Sequence, residues 1–326
     1  MLWVTDKVLS VKSGSIMPQG CPEREESLHV PIAVYSGDIV FPDDIKMLSY
    51  RHGYHAGNYA DVLKHTMLLQ AIKLLQKKNK PYVYIDTHAG AGGYSLKDEF
   101  AQKTGEYLEG IAKIWPQTDL PEPLNDYIAA VKAFNTESDD LDYYPGSPAF
   151  VDMTLREKDR MVLHELHGTD YPLLAQGFAG DRQIKVINGD GLAGLIAAVP
   201  PIERRGLILI DPSYEIKSDY LDVADTVIKA HKRFATGVYM IWYPVVDRAR
   251  TEAMFDKLKA SGIRRQLRIE QGISPDSDEK GMTAAGLWVI NPPWQFDQLA
   301  SDTLAVLDRT FNRGGGFTRV EWEVGE

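Results

Sequence analysis

Residues 82–93 read YVYIDTHAGAGG, an apolar strand that ends in the acid Asp86 and runs into a glycine-rich turn. In sheets with helices on both faces, ligands bind at the carboxyl ends of the strands, where glycines let the backbone approach a ligand closely. The third glycine of the nicotinamide-dinucleotide fingerprint is missing, because Ser95 occupies its position. The pattern therefore suits a methyl donor as well as a dinucleotide, and a purely structural tight turn also fits it.

Outward from this strand, apolar segments alternate with helical patterns. Asn58 and Asp61 are typical helix-start residues, and the apolar stripe from Val62 predicts a helix that ends at Asn79-Lys80-Pro81, with Lys64 off the stripe. Further strands are predicted at 161–166, 184–187, 206–210, 238–242, 266–271 and 286–290, and further helices at 220–234 and 251–261.

Such alternation indicates a parallel sheet covered on both faces, and the short loop 274–282 between the last two strands favours an antiparallel end. We therefore predict an α/β fold, the Rossmann-like class I S-adenosyl-L-methionine-dependent methyltransferase fold. It has a seven-stranded, mostly parallel sheet and a small helical insertion subdomain at about 94–158. The predicted domain covers 47–326, and residues 1–46, which show no sustained period, are predicted to be a weakly ordered extension.

Composition narrows the class of protein. The 326 residues are 44% hydrophobic and 25% charged, which is ordinary for a globular protein, and no apolar run approaches the ~20 residues of a membrane helix. A single cysteine, Cys21, excludes an internal disulfide and favours the cytoplasm. The net charge of −10 counts mildly against a nucleic-acid partner without excluding one, because charge is distributed unevenly over a surface.

Two further acids follow later strands. Glu165 ends the strand at 161–166, where a carboxylate can accept both ribose hydroxyls of a nucleoside cofactor. Asp190 follows the next strand and can accept from an adenine amino group. Each acid alone is equally well a capping or turn residue.

The segment GLILIDPSY at 206–214 carries the most specific chemistry. The amino nitrogen of adenine is a poor nucleophile, because its lone pair is delocalised into the ring. The Asp211 carboxylate and the Pro212 carbonyl can accept its two hydrogens, and Pro212 stiffens that carbonyl by fixing φ. Tyr214 offers a flat face for the base, a contact worth ~1–3 kcal/mol. A strand-ending turn is the alternative interpretation.

Histidines are concentrated near these segments, at His52, His55, His65 and His88. The pair His52-x-x-His55 raises the alternative of a metal site, but this region has no cysteine and no recognised zinc spacing. We predict independent histidines beside a polar cleft and no metal.

From Met47 onward, the chain resembles the bacterial 23S ribosomal RNA adenine N(6)-methyltransferases of the RlmJ family. The segments that carry the resemblance are MLSYRHGYHAGNYADVLKH (47–65), YIDTHAGAG (84–92), TGEYLEGI (104–111), YYPGSP (143–148), GLILIDPSYE (206–215), WYPVV (242–246) and GMTAAGLWVINPPW (281–294).

The resemblance implies methylation of one adenine of 23S ribosomal RNA, the 2030-type position, on naked or hairpin RNA by a monomer without metal. It places the S-adenosyl-L-methionine contacts at His65, His88, Ser147, Glu165, Asp190, Gly191 and Asp211, and makes Asp211 the catalytic acceptor as well. It assigns Tyr50 to the substrate and implies that the insertion helps to hold RNA.

Two departures from the family pattern matter. The family has D-P-P-Y where this chain has Ser213 at the third place; we expect retained activity with a less rigid loop. The family also begins at the methionine that corresponds to Met47, so we expect residues 1–46 to derive from an upstream start codon.

Three alternatives stay open. The amino-methylation motif does not separate an RNA from a DNA adenine methyltransferase. Ser213 is a hint of a catalytically weak RNA-binding homologue. A nicotinamide dehydrogenase is disfavoured by the missing third glycine and by the segment from Asp211 to Tyr214.

Overall fold

The computed structural model describes residues 51–136, 139–277 and 281–326. The predictions for the N-terminal extension and for Tyr50 lie outside these residues. The first long helix, α1 (Tyr59–Gln76), begins where the sequence predicts, because the Asn58 side chain accepts hydrogen bonds from the backbone N–H groups of Ala60 and Asp61. Residues 59–72 are buried all round the helix rather than along one stripe.

Ten strands lie in the described part of the chain. They are β1 (Val83–Asp86), β2 (Gly93–Ser95), β3 (Tyr143–Pro145), β4 (Arg160–Glu165), β5 (Ile184–Asn188), β6 (Gly206–Ile210), β7 (Val238–Val245), β8 (Gln266–Gly272), β9 (Ala284–Ile290) and β10 (Phe317–Val324). The helices after α1 are α2 (Glu99–Thr104), α3 (Ile111–Ile114), α4 (Glu122–Phe134), α5 (Ser147–Asp152), α6 (Asp170–Gly177), α7 (Gly191–Ala198), α8 (Asp219–Arg233), α9 (Arg248–Ala260) and α10 (Phe296–Phe311). Single 3-10 turns occur at His52–Tyr54 and Glu106–Glu109.

The main sheet has the order β10-β8-β9-β7-β6-β1-β4-β5. The five strands from β7 to β5 are parallel, and β9, β8 and β10 each pair antiparallel with their neighbour. This architecture confirms the predicted α/β fold class with its mostly parallel sheet and antiparallel end. The predicted number of seven strands is wrong, because β10 adds an eighth at the edge beside β8.

Side chains of the central strands alternate between two cores. Tyr84, Leu207 and Leu209 face the core that contains α1 and α10, and Ile85 and Ile208 face the core that contains α8 and α9. Both faces are therefore buried, which explains the continuous apolar runs in the sequence. The arrangement brings the carboxyl ends of the parallel strands together at one edge, beside the N-terminal half of α1.

The segment at 94–158 is mainly helical, with α2, α3, α4 and α5. A two-stranded antiparallel sheet, β2 with β3, ties its beginning to its end. Through β3 it delivers α5 to the strand ends, with Ser147 at the first position of that helix. No helix in the described part of the chain combines the length and apolarity that crossing a membrane requires.

Candidate active site

Three carboxylates stand at the ends of adjacent parallel strands. Asp86 and Glu165 are the last residues of β1 and β4, and Asp211 directly follows β6. Since β1 lies between β4 and β6 in the sheet, the three side chains share one edge. The sequence predicts this juxtaposition, and it defines the centre of the site.

Asp86 is a buried acceptor that fixes neighbouring groups of the site through hydrogen bonds. Its Oδ2 accepts hydrogen bonds from the hydroxyls of Tyr84 and Ser147, both at 2.6 Å, and its Oδ1 accepts one from the backbone N–H of His88 at 3.2 Å. The carboxyl group is fully buried, and this burial raises the pKa of Asp86 to about 6 against the opposing effect of the Ser147 and Tyr84 hydrogen bonds.

Glu165 is held by backbone donors. Its Oε2 accepts from Gly90 N–H at 2.7 Å and its Oε1 from His167 N–H at 2.6 Å. Burial raises the pKa of Glu165 above its usual value. Each carboxylate oxygen has a second lone pair, so this orientation leaves Glu165 able to accept hydroxyl hydrogens from a ligand.

Asp190 acts as the N-cap of α7, where its Oδ1 accepts from Leu192 N–H at 2.8 Å and from Ala193 N–H at 3.2 Å. At Gly191, a Cβ atom would lie 1.7 Å from the carbonyl oxygen of Thr87, so this close approach of two strand-end loops requires glycine. The capping interpretation of Asp190 thus applies, and its Oδ2 makes no hydrogen bond with a described residue.

His65 and His88 are neutral. The Nδ1 of His65 lies 2.8 Å from the Tyr144 hydroxyl, and the Nδ1 of His88 lies 2.8 Å from Thr87 Oγ1. Burial lowers the pKa of His65 well below its usual value and that of His88 to about 4. Both rings are therefore uncharged hydrogen-bonding surfaces at neutral pH.

Around these groups lies a first pocket. Its lining includes five of the residues assigned to the methyl donor, namely His65, His88, Ser147, Glu165 and Asp211, whereas Asp190 and Gly191 lie at the same sheet edge outside the lining.

Asp211 is paired with a lysine that the sequence interpretation did not select. Lys64, from α1, places its Nζ 2.6 Å from Asp211 Oδ2 and 2.8 Å from Asp61 Oδ1. Burial opposes the charge on Lys64, but the two carboxylates raise its pKa above the usual value. The Asp61–Lys64 spacing of three residues was the available signal, but such pairs are common on exposed helix surfaces.

The turn after Asp211 makes part of a second pocket. The carbonyl oxygen of Pro212 accepts no hydrogen bond from a described residue. Tyr214 adopts φ +55°, sparsely populated for non-glycine residues, and its hydroxyl donates to the Trp242 carbonyl oxygen at 2.7 Å. Tyr214 is only 8% exposed, and it lines the second pocket together with Trp242.

The second pocket adjoins the first. Both share the side chains of His52, Lys64, Asp211 and Ser213. Asp211 therefore lines both pockets, one at the glycine-rich turn and one at the aromatic turn. A transfer between two bound molecules needs this arrangement.

The histidines of the His52-x-x-His55 pair contact different acids. His52 Nε2 lies 2.9 Å from Asp61 Oδ2, and His55 Nδ1 lies 2.9 Å from Glu106 Oε1. Among residues 51–136, 139–277 and 281–326, no group of three or more His, Cys, Asp or Glu side chains has the arrangement of a metal site.

Comparisons with known proteins agree with this architecture. The family model described as ribosomal RNA large subunit methyltransferase D, RlmJ, matches residues 79–324. The chain is 52% identical to ribosomal RNA large subunit methyltransferase J of Escherichia coli strain K12, over 86% of this chain and 100% of that protein. It is 48% identical to the Haemophilus influenzae protein of the same name, over 85% and 99%. It also resembles the crystal structure of protein LPL1258 from Legionella pneumophila, with 40% identity and a TM-score of 0.77 over 83% of this chain and 99% of that one.

Proposed function

This chain belongs to the RlmJ family of ribosomal RNA large subunit methyltransferases, and from that premise we propose that it methylates the exocyclic N(6) amino group of an adenine in 23S ribosomal RNA. The methyl donor is S-adenosyl-L-methionine. The observation that carries the proposal is the position of Asp211 between two adjoining pockets, with one oxygen held by Lys64.

The residues of the first pocket fit the methyl donor. Glu165, held by two backbone donors, suits the ribose hydroxyls, and Ser147 and His88 are uncharged polar groups fixed by Asp86. The lining carries the carboxylates of Glu165, Asp170 and Asp211 against one lysine, which suits a cationic sulfonium ligand. When bound, S-adenosyl-L-methionine supplies an electrophilic methyl group. Asp190 and Gly191 would hold the outer part of its nucleoside.

Asp211 and Pro212 are placed to make the amino nitrogen of adenine a better nucleophile. Lys64 occupies Oδ2 of Asp211, which leaves Oδ1 as the oxygen for one amino hydrogen. The carbonyl oxygen of Pro212 accepts no hydrogen bond from the described residues and suits the other hydrogen. Two acceptors on the two hydrogens favour a pyramidal nitrogen with a directed lone pair, and the preorganised dipoles stabilise the positive charge that develops there.

The second pocket suits the target base. Tyr214 and Trp242 contribute aromatic surface beside Asp211, and the hydrogen bond between them fixes the strained turn. A base inside a duplex cannot reach a pocket between α1 and β7, so the adenine must be unstacked. We therefore propose a hairpin or otherwise single-stranded region of naked 23S ribosomal RNA as substrate, acted on in the cytoplasm by a monomer.

The decisive test is nucleoside mass spectrometry of 23S ribosomal RNA from a deletion strain, with complementation by wild type and by Asp211→Ala. The expected result is loss of N(6)-methyladenosine at one position, restored by the wild type only. An unchanged signal at every adenine would remove the proposed substrate. In vitro transfer to matched RNA and DNA hairpins separates the RNA enzyme from a DNA adenine methyltransferase, which would prefer the DNA.

A further inference from the structure

Asp61 is a buried carboxylate at the start of α1 that accepts three hydrogen bonds or ion pairs at short range. Its Oδ1 contacts Lys64 Nζ at 2.8 Å, and its Oδ2 contacts His52 Nε2 and the backbone N–H of Gly57, both at 2.9 Å. Only 2% of the residue is exposed. Asp61 belongs neither to the strand-end motifs nor to the aromatic turn, so the roles proposed for those features do not account for it.

The surroundings keep Asp61 ionised. Burial alone would raise its pKa, but His52 and Lys64 together hold the pKa of Asp61 well below its usual value. Its position in the first turn of a helix also favours a negative charge. Lys64 consequently lies between two anions, Asp61 on its own helix and Asp211 at the end of β6.

Two carboxylates fix the position of the Lys64 ammonium group better than one carboxylate can. A lysine side chain has four rotatable carbons and a compact charge with three donors, so a single ion pair leaves its position loosely defined. The ammonium also lies 5.6 Å from the centre of the Trp242 ring, so its placement is set from three sides. With Asp61 present, Asp211 receives only a share of the ammonium charge.

We propose that Asp61 is a positioning residue for methyl transfer: it fixes the Lys64 ammonium against Asp211 and takes part of its charge, so that Asp211 stays a good acceptor for the adenine amino hydrogen. This inference rests on the proposed function. It assigns Asp61 no contact with either substrate, and it makes the effect of Asp61 dependent on Lys64.

A double-mutant cycle tests this dependence. Wild type, Asp61→Asn, Lys64→Met and the double variant are compared in single-turnover methyl transfer to an RNA hairpin, with enzyme in excess so that slow rates stay measurable. We expect Asp61→Asn to lower the rate about 10- to 100-fold, as losing a supporting partner of a reactive group commonly does. Methyl-donor affinity, measured by calorimetry, should change less than about threefold, and Asp61→Asn should add less than about threefold in the Lys64→Met background.

Asp126→Asn is the matched control. Asp126, on α4, accepts from Lys73 of α1 at 2.6 Å but lies away from both pockets, so the rate of Asp126→Asn should equal that of the wild type. Asp61→Glu retains the charge one methylene further out and should give a rate between those of wild type and Asp61→Asn. If Asp61→Asn does not fold, Asp61→Glu still tests the inference, because a rate of Asp61→Glu equal to that of wild type would overturn it.

An undiminished rate in Asp61→Asn, or independent effects that multiply in the double variant, would also overturn it. Failure of the proposed function is distinguishable, since it appears as absence of RNA methylation by the wild type before any variant is made.

Discussion

Asp211→Asn is the substitution that tests the catalytic arrangement most directly, because the structure predicts which way the new amide must face. Lys64 has only donors to offer, and its Nζ lies 2.6 Å from the present Oδ2. The amide oxygen of an asparagine must therefore occupy the Oδ2 position. The NH₂ group then takes the place of Oδ1 and presents a donor to an adenine amino group that also donates.

The expected loss follows from this reversal. An acceptor that stabilises developing charge in a preorganised site is worth about 3–4 kcal/mol, or 10²- to 10³-fold in rate, and here it is replaced by a repulsive donor. The loss should fall at the upper end of that range. Because asparagine has nearly the same shape as aspartate, the variant should still fold and bind RNA.

The assay is single-turnover transfer of radiolabelled methyl to an RNA hairpin, with melting temperature and RNA affinity measured in parallel. Removing Lys64 frees the amide to turn its oxygen toward the base, so Lys64→Met with Asp211→Asn should react faster than Asp211→Asn alone. A rate within threefold of wild type for Asp211→Asn would refute the acceptor role. A double variant no faster than the single one would refute the argument from orientation.

Three further predictions concern the surrounding residues. Ser213→Pro should leave the rate within about threefold of wild type. It should raise the unfolding free energy by about 0.4–1 kcal/mol, because Ser213 N–H makes no hydrogen bond to a described residue. If the wild type is inactive and Ser213→Pro restores methyl transfer, the expectation of retained activity is wrong. Gly191→Ala should weaken methyl-donor binding and cost about 1–3 kcal/mol of stability in thermal unfolding, because its Cβ would meet Thr87 O at 1.7 Å, whereas Gly189→Ala, with open space around its Cβ, should change neither. The pKa of the buried Asp86 carboxyl is raised from 3.8 to about 6, so the native state binds the extra proton, and the stability of wild type relative to Asp86→Asn should fall by about 2 kcal/mol as the pH rises from 4 to 7 in denaturant titrations. A stability difference that does not change with pH would contradict the raised pKa of Asp86.

The sequence predicts the strands of the central sheet well where both faces are buried. The segments at 206–210 and 238–242 are continuous apolar runs, and they form neighbouring strands with the expected parallel pairing. β10 (Phe317–Val324) was not predicted, because it is an edge strand in which exposed polar residues such as Thr318 and Glu321 interrupt the apolar ones. Its position depends on pairing with β8, a long-range contact that local pattern does not encode.

The acids at the strand ends were predictable for a different reason. In a parallel sheet every strand ends at the same edge, so Asp86, Glu165 and Asp211 are brought together by topology alone. The detailed role of each carboxylate was not predictable. Asp86 faces inward to hold Ser147, and Asp190 caps a helix, because these roles depend on which backbone N–H groups happen to be within reach.

Lys64 shows most clearly what a sequence pattern leaves undetermined. It lies off the apolar stripe, three residues after Asp61, as an ordinary exposed helix pair would. However, α1 is enclosed by the sheet and by α4, α5 and α10, so the polar residues on its far side are buried too. Burying an unpaired ammonium costs several kcal/mol, and one carboxylate of good geometry only about offsets that cost. A lysine that is 3% exposed and charged must therefore be matched by a second anion, and the anion available is Asp211. The same requirement that keeps the helix stable thus brings a cation to Asp211, the proposed catalytic carboxylate, which would tie the stability of α1 to the reactivity of the site.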